Sequence, residues 1–206
     1  YPSLASGGND CRDGRTSVYV TGTAACDTAA PATLVAPQRP SGGSIPIADH
    51  AWVRDDNGLF HLFFQDDVSN NWSILHYTTP DFSTLTYVGA AVSGTPGAWD
   101  ANGAWAPHII RKDGTYYLFY TGVRVTSYPE QRIGLATSTD LTTWTKTSGN
   151  QCNGMTGDGC VVDCEASWTA AGRGGGNDQA CRDPMVQFDP ASGTWSTTGD
   201  MGTEAQ

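Results

Sequence analysis

One stretch of this sequence occurs twice, and the two copies keep their turns in step. The first copy opens with WVRDDNGLFHLFFQ, Trp52–Gln65, and the second with HIIRKDGTYYLFYTG, His108–Gly122. Each is an apolar run, a charged turn carrying Gly, then a run in which aromatics alternate with Leu. That is the pattern of a β-hairpin. Each is followed by a second hairpin pattern: SILHYTTPDFSTLTYVG from Ser73, and RIGLATSTDLTTWTKTSG from Arg132. Gly58 to Gly114 is 56 residues and Asp81 to Asp140 is 59. Two offsets that nearly agree indicate that a four-stranded unit was repeated as a whole. A β-sandwich would not require matching turns in both halves of each unit. A third copy begins at Met185, MVQFDPASGTW. Four-stranded units at this spacing predict an all-β protein built from β-propeller blades. The blades start near residues 45, 98 and 180. Residues 1–44, rich in Gly, Ala, Ser, Thr and Pro with one strand pattern at Thr16–Thr21, form an N-terminal extension; residues 45–206 form a partial propeller.

Composition agrees. Only 16% of the 206 residues are charged, while Gly (25), Trp (7) and Tyr (8) are abundant, which favours turns and strands over helices. A net charge of −10 argues against a nucleic acid or an anionic membrane surface as partner, since both would be repelled. It is compatible with a neutral saccharide, and also with a role in solubility alone. No apolar run is long enough to span a bilayer. Six cysteines, an even number, point to disulfides and a secreted, extracellular protein. Their spacing suggests a Cys11–Cys26 bridge pinning the extension, and two more bridges among Cys152, Cys160, Cys164 and Cys181. Zinc on Cys160 and Cys164 is the alternative, with no histidine nearby to support it.

Four local motifs resemble the five-bladed β-propeller glycosidases, the superfamily of glycoside hydrolase families 32, 43 and 68. Asp49, in SIPIADHAWV, precedes His61 of HLFFQ by twelve residues, as the nucleophile does in fructan-cleaving members. Trp105-Ala106-Pro107 before HIIRKDGTYYLFYTG is similar to the second blade of arabinan- and xylan-cleaving members. Ala136–Lys146, ATSTDLTTWTK, resembles the outer strands of a blade, and Arg182-Asp183-Pro184 resembles the RDP motif of fructan-cleaving members. The resemblance covers residues 45–195. It implies a secreted hydrolase of O-glycosidic bonds in furanose-containing oligo- or polysaccharides. RDP and the twelve-residue spacing tilt the substrate toward fructosides; WAP and the second blade keep arabinosides and xylosides close.

The chemistry needs carboxyl groups. Glycosidic cleavage builds positive charge at the anomeric carbon and negative charge on the leaving oxygen. The resemblance makes Asp49 the nucleophile or general base, and Asp183 the residue that stabilises the transition state and tunes its neighbours' pKa. Arg182 would hold a carboxylate or bind substrate. Trp52, Trp99 and Trp105 lie near strand starts, where indoles can stack on sugars; Trp52 and Trp105 are assigned to the pocket. His50 and His108 stand where the family usually has Pro and Asp, and join the substrate-binding set. Tyr116, Tyr117, Phe119, Phe63 and Trp144 are assigned to packing between blades. No metal or cofactor is expected, because the four histidines show no ligand spacing. Asp55, Asp56, Asp66 and Asp67 read as solvated turn residues, with a structural calcium among them the alternative. The family's general acid is a Glu in a blade after RDP; here Glu165, in the cysteine-rich loop, is the candidate, or the propeller is completed by a further C-terminal part. Stereochemistry stays open between retention and inversion. Two other functions fit the pattern: a sugar-binding propeller without the acid, and a glycan phosphorylase on the same fold.

Overall fold

The computed structural model describes residues 49–66, 72–124, 130–152, 154–163, 181–189 and 192–197. The chain divides into two units, Tyr1–Leu34 and Val35–Gln206, and every described residue belongs to the second. The expected boundary at 44/45, the strand at Thr16–Thr21, Cys11, Cys26, Cys164, Glu165 and Asp67 lie outside the described residues.

The described residues are all-β, with no helix among them. Strands β1 (His50–Arg54), β2 (Phe60–Asp66), β3 (Ser73–Thr79) and β4 (Thr86–Ser93) form one antiparallel sheet in that order. Strands β5 (Gly103–Lys112), β6 (Thr115–Val123), β7 (Gln131–Ser138) and β8 (Thr145–Lys146) form a second in the same order. These are the two expected four-stranded blades. A feature invisible in the repeat is β9 (Cys160–Val162). It comes from the cysteine-rich loop and pairs with β7 at Ile133 and Gly134, beside the stretch that β8 covers at Ala136 and Thr137. The third unit contributes β10 (Val186–Asp189) and β11 (Thr194–Thr197), an antiparallel pair.

The turns repeat as faithfully as the strands. Asp113 and Gly114, at φ 50° and 78°, make the two-residue turn between β5 and β6, where both positions need left-handed backbone. Beyond β3 the Thr79 hydroxyl accepts the Phe82 N–H at 2.8 Å; beyond β7 the Ser138 hydroxyl accepts the Leu141 N–H at 2.8 Å. Phe82 and Leu141 share a left-handed φ of 61° and 64°. Asp81 and Asp140 each cap their turn, at 2.9 Å to Ser83 N and 2.8 Å to Thr142 N.

Alternation along the strands gives each sheet two apolar faces, as a buried propeller blade requires. The main core joins the sheets: Phe63, Ile74 and Val92 from the first meet Ile109, Tyr116, Leu118, Tyr120, Ala136 and Leu141 from the second. Each such fully buried aliphatic or aromatic chain contributes roughly 1.5–3 kcal/mol. The expected packing role of Phe63, Tyr116 and Trp144 holds, with Trp144 edge-on to Phe63 at 5.5 Å. Phe119 and Tyr117 pack on the opposite face of the second sheet, against Val186 of the third unit.

The segment between the sheets is bound into both. Trp99 is fully buried and its Nε1–H donates to the Asp158 carbonyl at 2.9 Å. A Cβ on Gly122 would lie 2.1 Å from the Trp99 ring, and one on Gly134 2.6 Å from it, so the indole occupies a slot that only glycine leaves open. Trp99 is therefore a core plug and not a residue near a pocket. Next to it, buried Asp100 accepts from the Tyr120 hydroxyl at 3.1 Å and from Lys146 Nζ at 2.5 Å. Lys146 also donates to the Ser93 carbonyl at 2.8 Å. Asp100 and burial together push the Tyr120 hydroxyl well above its ordinary pKa, with burial the larger cause.

Two histidines are buried in the first sheet. His61 Nδ1 lies 2.9 Å from His76 Nε2, and His61 Nε2 lies 3.7 Å from the Asp55 carboxylate. His76 stacks on Phe63 at 4.7 Å. Burial drives the His76 pKa down to about 4, with the neighbouring His61 adding to the effect. Burial lowers His61 as well, against the pull of Asp55.

The acidic turn residues differ from expectation in one case. Asp55 accepts Leu59 N at 2.8 Å and Asn57 N at 3.0 Å, and Asp56 pairs with Arg111 of the second sheet. Asp66 ends β2 and is buried, because it falls on the face of the strand shared with Leu62 and Phe64. Among the described residues there is no group of three or more His, Cys, Asp or Glu side chains placed to hold a metal ion. Cys152 and Cys160 are bonded to each other, so Cys160 is no zinc ligand; Cys181 is also disulfide-bonded. Among the described residues no helix is long and apolar enough to cross a membrane.

Candidate functional site

The three units start side by side. Strand β5 contacts β1 on one side and β10 on the other. Asp49 immediately precedes β1 and is exposed; its carbonyl accepts the Gln65 N–H at 3.1 Å. The Gln65 side chain then reaches the second sheet, where its Oε1 accepts the Ala106 N–H at 2.9 Å. Trp105, one residue before Ala106, pairs in register with Thr121 of β6. Thr121 Oγ1 accepts the Asp183 N–H at 3.0 Å. Asp49, the Trp105-Ala106-Pro107 segment and Asp183 are thus tied in series along one end of the sheets.

Local sequence explains the backbone at these points. Pro107 lacks an N–H and disrupts the ladder, so the β5–β6 register shifts between Trp105 and His108. Ala106 and Asp183 both precede a proline and both adopt left-handed φ, 43° and 57°. The Asp183 side chain is 47% exposed and lies 3.3 Å from the guanidinium of Arg182, itself 58% exposed. An exposed pair of this kind is screened by water and adds little to stability.

The proposed aromatic and histidine residues divide. Trp105 is half-buried, packs against Trp72 at a ring separation of 4.2 Å, and buries an indole N–H with no hydrogen-bond partner. Trp52 is 55% exposed and edge-on to Phe60 at 5.7 Å. It lies on the face of β1 opposite Ala51 and Val53, which pack into the core shared with the second sheet. His50 is on that same outward face, stacked with Phe64 at 6.1 Å. His108 engages the third unit, its Nε2 2.9 Å from the Val186 carbonyl. Sequence reasoning did not single out Trp72, Gln65 or Thr121. Gln65 and Thr121 were legible in principle, because they are 56 residues apart, the same offset as Gly58 and Gly114. Trp72 precedes the repeat's second hairpin and carries no pattern of its own. Its neighbour in space is Gly103, where a Cβ would lie 2.2 Å from the Trp72 carbonyl oxygen.

Electrostatics narrow the choice of an acid. The chain has three glutamates, Glu130, Glu165 and Glu204, and only Glu130 is among the described residues. Arg124 grips its carboxylate through two nitrogens and Arg132 lies 3.5 Å away. The Arg124 hydrogen bonds hold Glu130 below the usual carboxylate range, which keeps it ionised and unsuited to delivering a proton.

Comparison with known proteins gives the frame. The family model of glycosyl hydrolases family 43 matches residues 45–191, which spans both complete sheets and Asp183. A probable arabinan endo-1,5-α-L-arabinosidase C of Aspergillus clavatus is 32% identical over 84 residues, covering 41% of this chain and 23% of that protein. A 1,2-β-oligomannan phosphorylase of Thermoanaerobacter sp. is 28% identical over 117 residues, covering 48% of this chain and 40% of that protein. Among solved structures, an endo-arabinase of Bacteroides thetaiotaomicron aligns at 18% identity with a TM-score of 0.49, over 72% of this chain and 43% of that one. The chain thus spans about a quarter to two fifths of the length of these two curated relatives. With a family model matched over well more than half its residues, the chain belongs to the glycosyl hydrolases of family 43.

Proposed function

We propose that this chain carries part of the active site of a secreted glycoside hydrolase acting on arabinan- or xylan-type saccharides. The observation that carries the proposal is the placement of Asp49 and Asp183: each stands near the start of a repeated unit, both are exposed, and hydrogen bonds together with the β5–β6 pairing link them through the second sheet. In this reading Asp49 is the general base that activates a water, as the family resemblance implies for inverting members. Asp183 hydrogen-bonds sugar hydroxyls and tunes its neighbours, with Arg182 orienting it. Trp105 and Trp72 offer indole surface to the C–H faces of a sugar ring. The general acid is assigned outside the described residues, with Glu165 as its candidate in this sequence. Family membership favours arabinosides and xylosides over the fructosides that RDP suggested. The Cys152–Cys160 disulfide supports an oxidising, extracellular setting.

The test is product chromatography after incubation with arabinan, xylo-oligosaccharides, sucrose, inulin and levan. Release of arabinose or xylose, lost by about 10²–10⁴-fold in Asp49→Asn, is the expected result. Fructose release would move the protein to the retaining branch. No release from any substrate would leave a sugar-binding module. The similarity to an oligomannan phosphorylase motivates one more arm: turnover of β-1,2-mannan that requires phosphate and yields a sugar phosphate would assign phosphorolysis instead.

A further inference from the structure

The amide of Ala106 and the amide of Asp183 are held by the same device. Gln65 ends the run Leu62-Phe63-Phe64-Gln65 and Thr121 ends Leu118-Phe119-Tyr120-Thr121, at equivalent positions 56 residues apart. One is a carboxamide and the other a hydroxyl, yet each presents an oxygen to the first residues of the next unit. The distances are 2.9 Å to Ala106 N and 3.0 Å to Asp183 N. Both recipients have left-handed φ and both precede proline, at Pro107 and Pro184. Left-handed backbone costs a residue with a Cβ roughly 1–2 kcal/mol. A following proline further restricts the backbone, so the surroundings must hold this conformation. Thr121 is fully buried, so its hydroxyl is fixed by packing, while the Asp183 side chain stands half in solvent. The point from which that carboxylate projects is therefore set by where its backbone is held, with Arg182 beside it at 3.3 Å.

We propose that Thr121 is a positioning residue: its Oγ1 pins the left-handed amide of Asp183 and so aims the Asp183 carboxylate into the site, as Gln65 pins Ala106 in the preceding unit. The catalytic part of this rests on the role given to Asp183 under the proposed function; the pinning itself does not.

Thr121→Val removes the acceptor and keeps the shape, and Thr121→Ser keeps the acceptor. Amide hydrogen exchange at Asp183 reads the pinning whether or not the protein turns over substrate. In Thr121→Val, exchange at Asp183 is expected to accelerate at least about tenfold, one lost hydrogen bond's worth. On arabinan oligosaccharides, kcat is expected to fall about 10–100-fold with KM changed less than about threefold, since misaiming costs rate more than binding. Thr121→Ser is expected to recover most of both. Should Val not fold at this position, Thr121→Cys, a weak acceptor of similar size, enters the same comparison and should fall between Ser and Val. Wild-type exchange at Asp183 in the Val variant, or equal damage from Ser and Val, overturns the proposal. If the wild type releases no sugar, the role of Asp183 falls, and the exchange data alone decide the pinning.

Discussion

Acidifying the protein tests the buried histidine pair. His76 sits beside His61 at 2.9 Å, stacked on Phe63, with almost no exposure. Its pKa falls from 6.5 to about 4, first because burial penalises the charged ring and then because His61 is adjacent. A histidine whose folded pKa is depressed stabilises the fold fully above its unfolded pKa, and that stability is lost as pH falls. The unfolded chain takes up a proton near pH 6.5 and the folded one only near 4, so the loss occupies that window and levels off below it. At about 1.36 kcal/mol per pH unit the full loss is roughly 3 kcal/mol. Asp55 lies near His61 Nε2 and opposes the fall in the His61 pKa, while among the described residues no charged partner supports His76 in the same way. The assay is urea unfolding at pH values from 8 to 4, with the wild type compared to His76→Leu. Leucine is the residue at the equivalent place in the second sheet, since Phe63 pairs with His76 as Phe119 pairs with Leu135. The variant should lose about 1–3 kcal/mol at pH 8 from the unpaired His61. It should then show a shallower decline with acid than the wild type. Identical slopes in the two proteins between pH 6.5 and 4 would refute the assignment.

Two further perturbations probe the frame around the site. Lys146→Met strands the buried Asp100 carboxylate and should cost about 3–5 kcal/mol, read as a lower urea midpoint; an unchanged midpoint would show that Asp100 finds another partner. Gly103→Ala drives a Cβ to 2.2 Å from the Trp72 carbonyl at a φ of 130°, so it should cost at least about 3 kcal/mol. Thermal unfolding of Gly103→Ala at or above the wild-type midpoint would contradict that geometry.

The repeat carried most of the fold because a β-hairpin writes itself locally. Alternation in HLFFQ and YYLFYTG, with Gly58 and Gly114 at the turns, specifies strands without knowledge of anything distant. The two second turns were equally local, each built from a hydroxyl and an Asp within a few residues. What failed to show was long-range. Trp99 has the look of an indole near a pocket, and its burial depends on the absence of side chains at Gly122 and Gly134, over twenty residues away. Asp66 reads as polar and therefore solvated, yet strand parity puts it beside Leu62 and Phe64. Strand β9 is three residues of a Gly- and Cys-rich stretch and is defined only by the exposed edge of β7 that it covers. At the site, Asp49, Trp105 and Asp183 were legible as motifs. Gln65 and Thr121 look like strand residues until a neighbouring sheet supplies the amide each one accepts.

The segment Trp99-Asp100 has a consequence for how the protein comes apart. Repeat architectures can lose their units one at a time, because each unit contacts only its neighbours. Here the connection between the first two sheets is also their filling. Its indole lies in a slot in β6 and β7, and its carboxylate bonds Lys146, which in turn holds the end of β4. Opening the first sheet uncovers the second, and withdrawing the connection leaves the second with both a void and an unpaired lysine. The two sheets are a single cooperative unit, and the smallest piece of this chain that could hold a native core is the pair, not the blade.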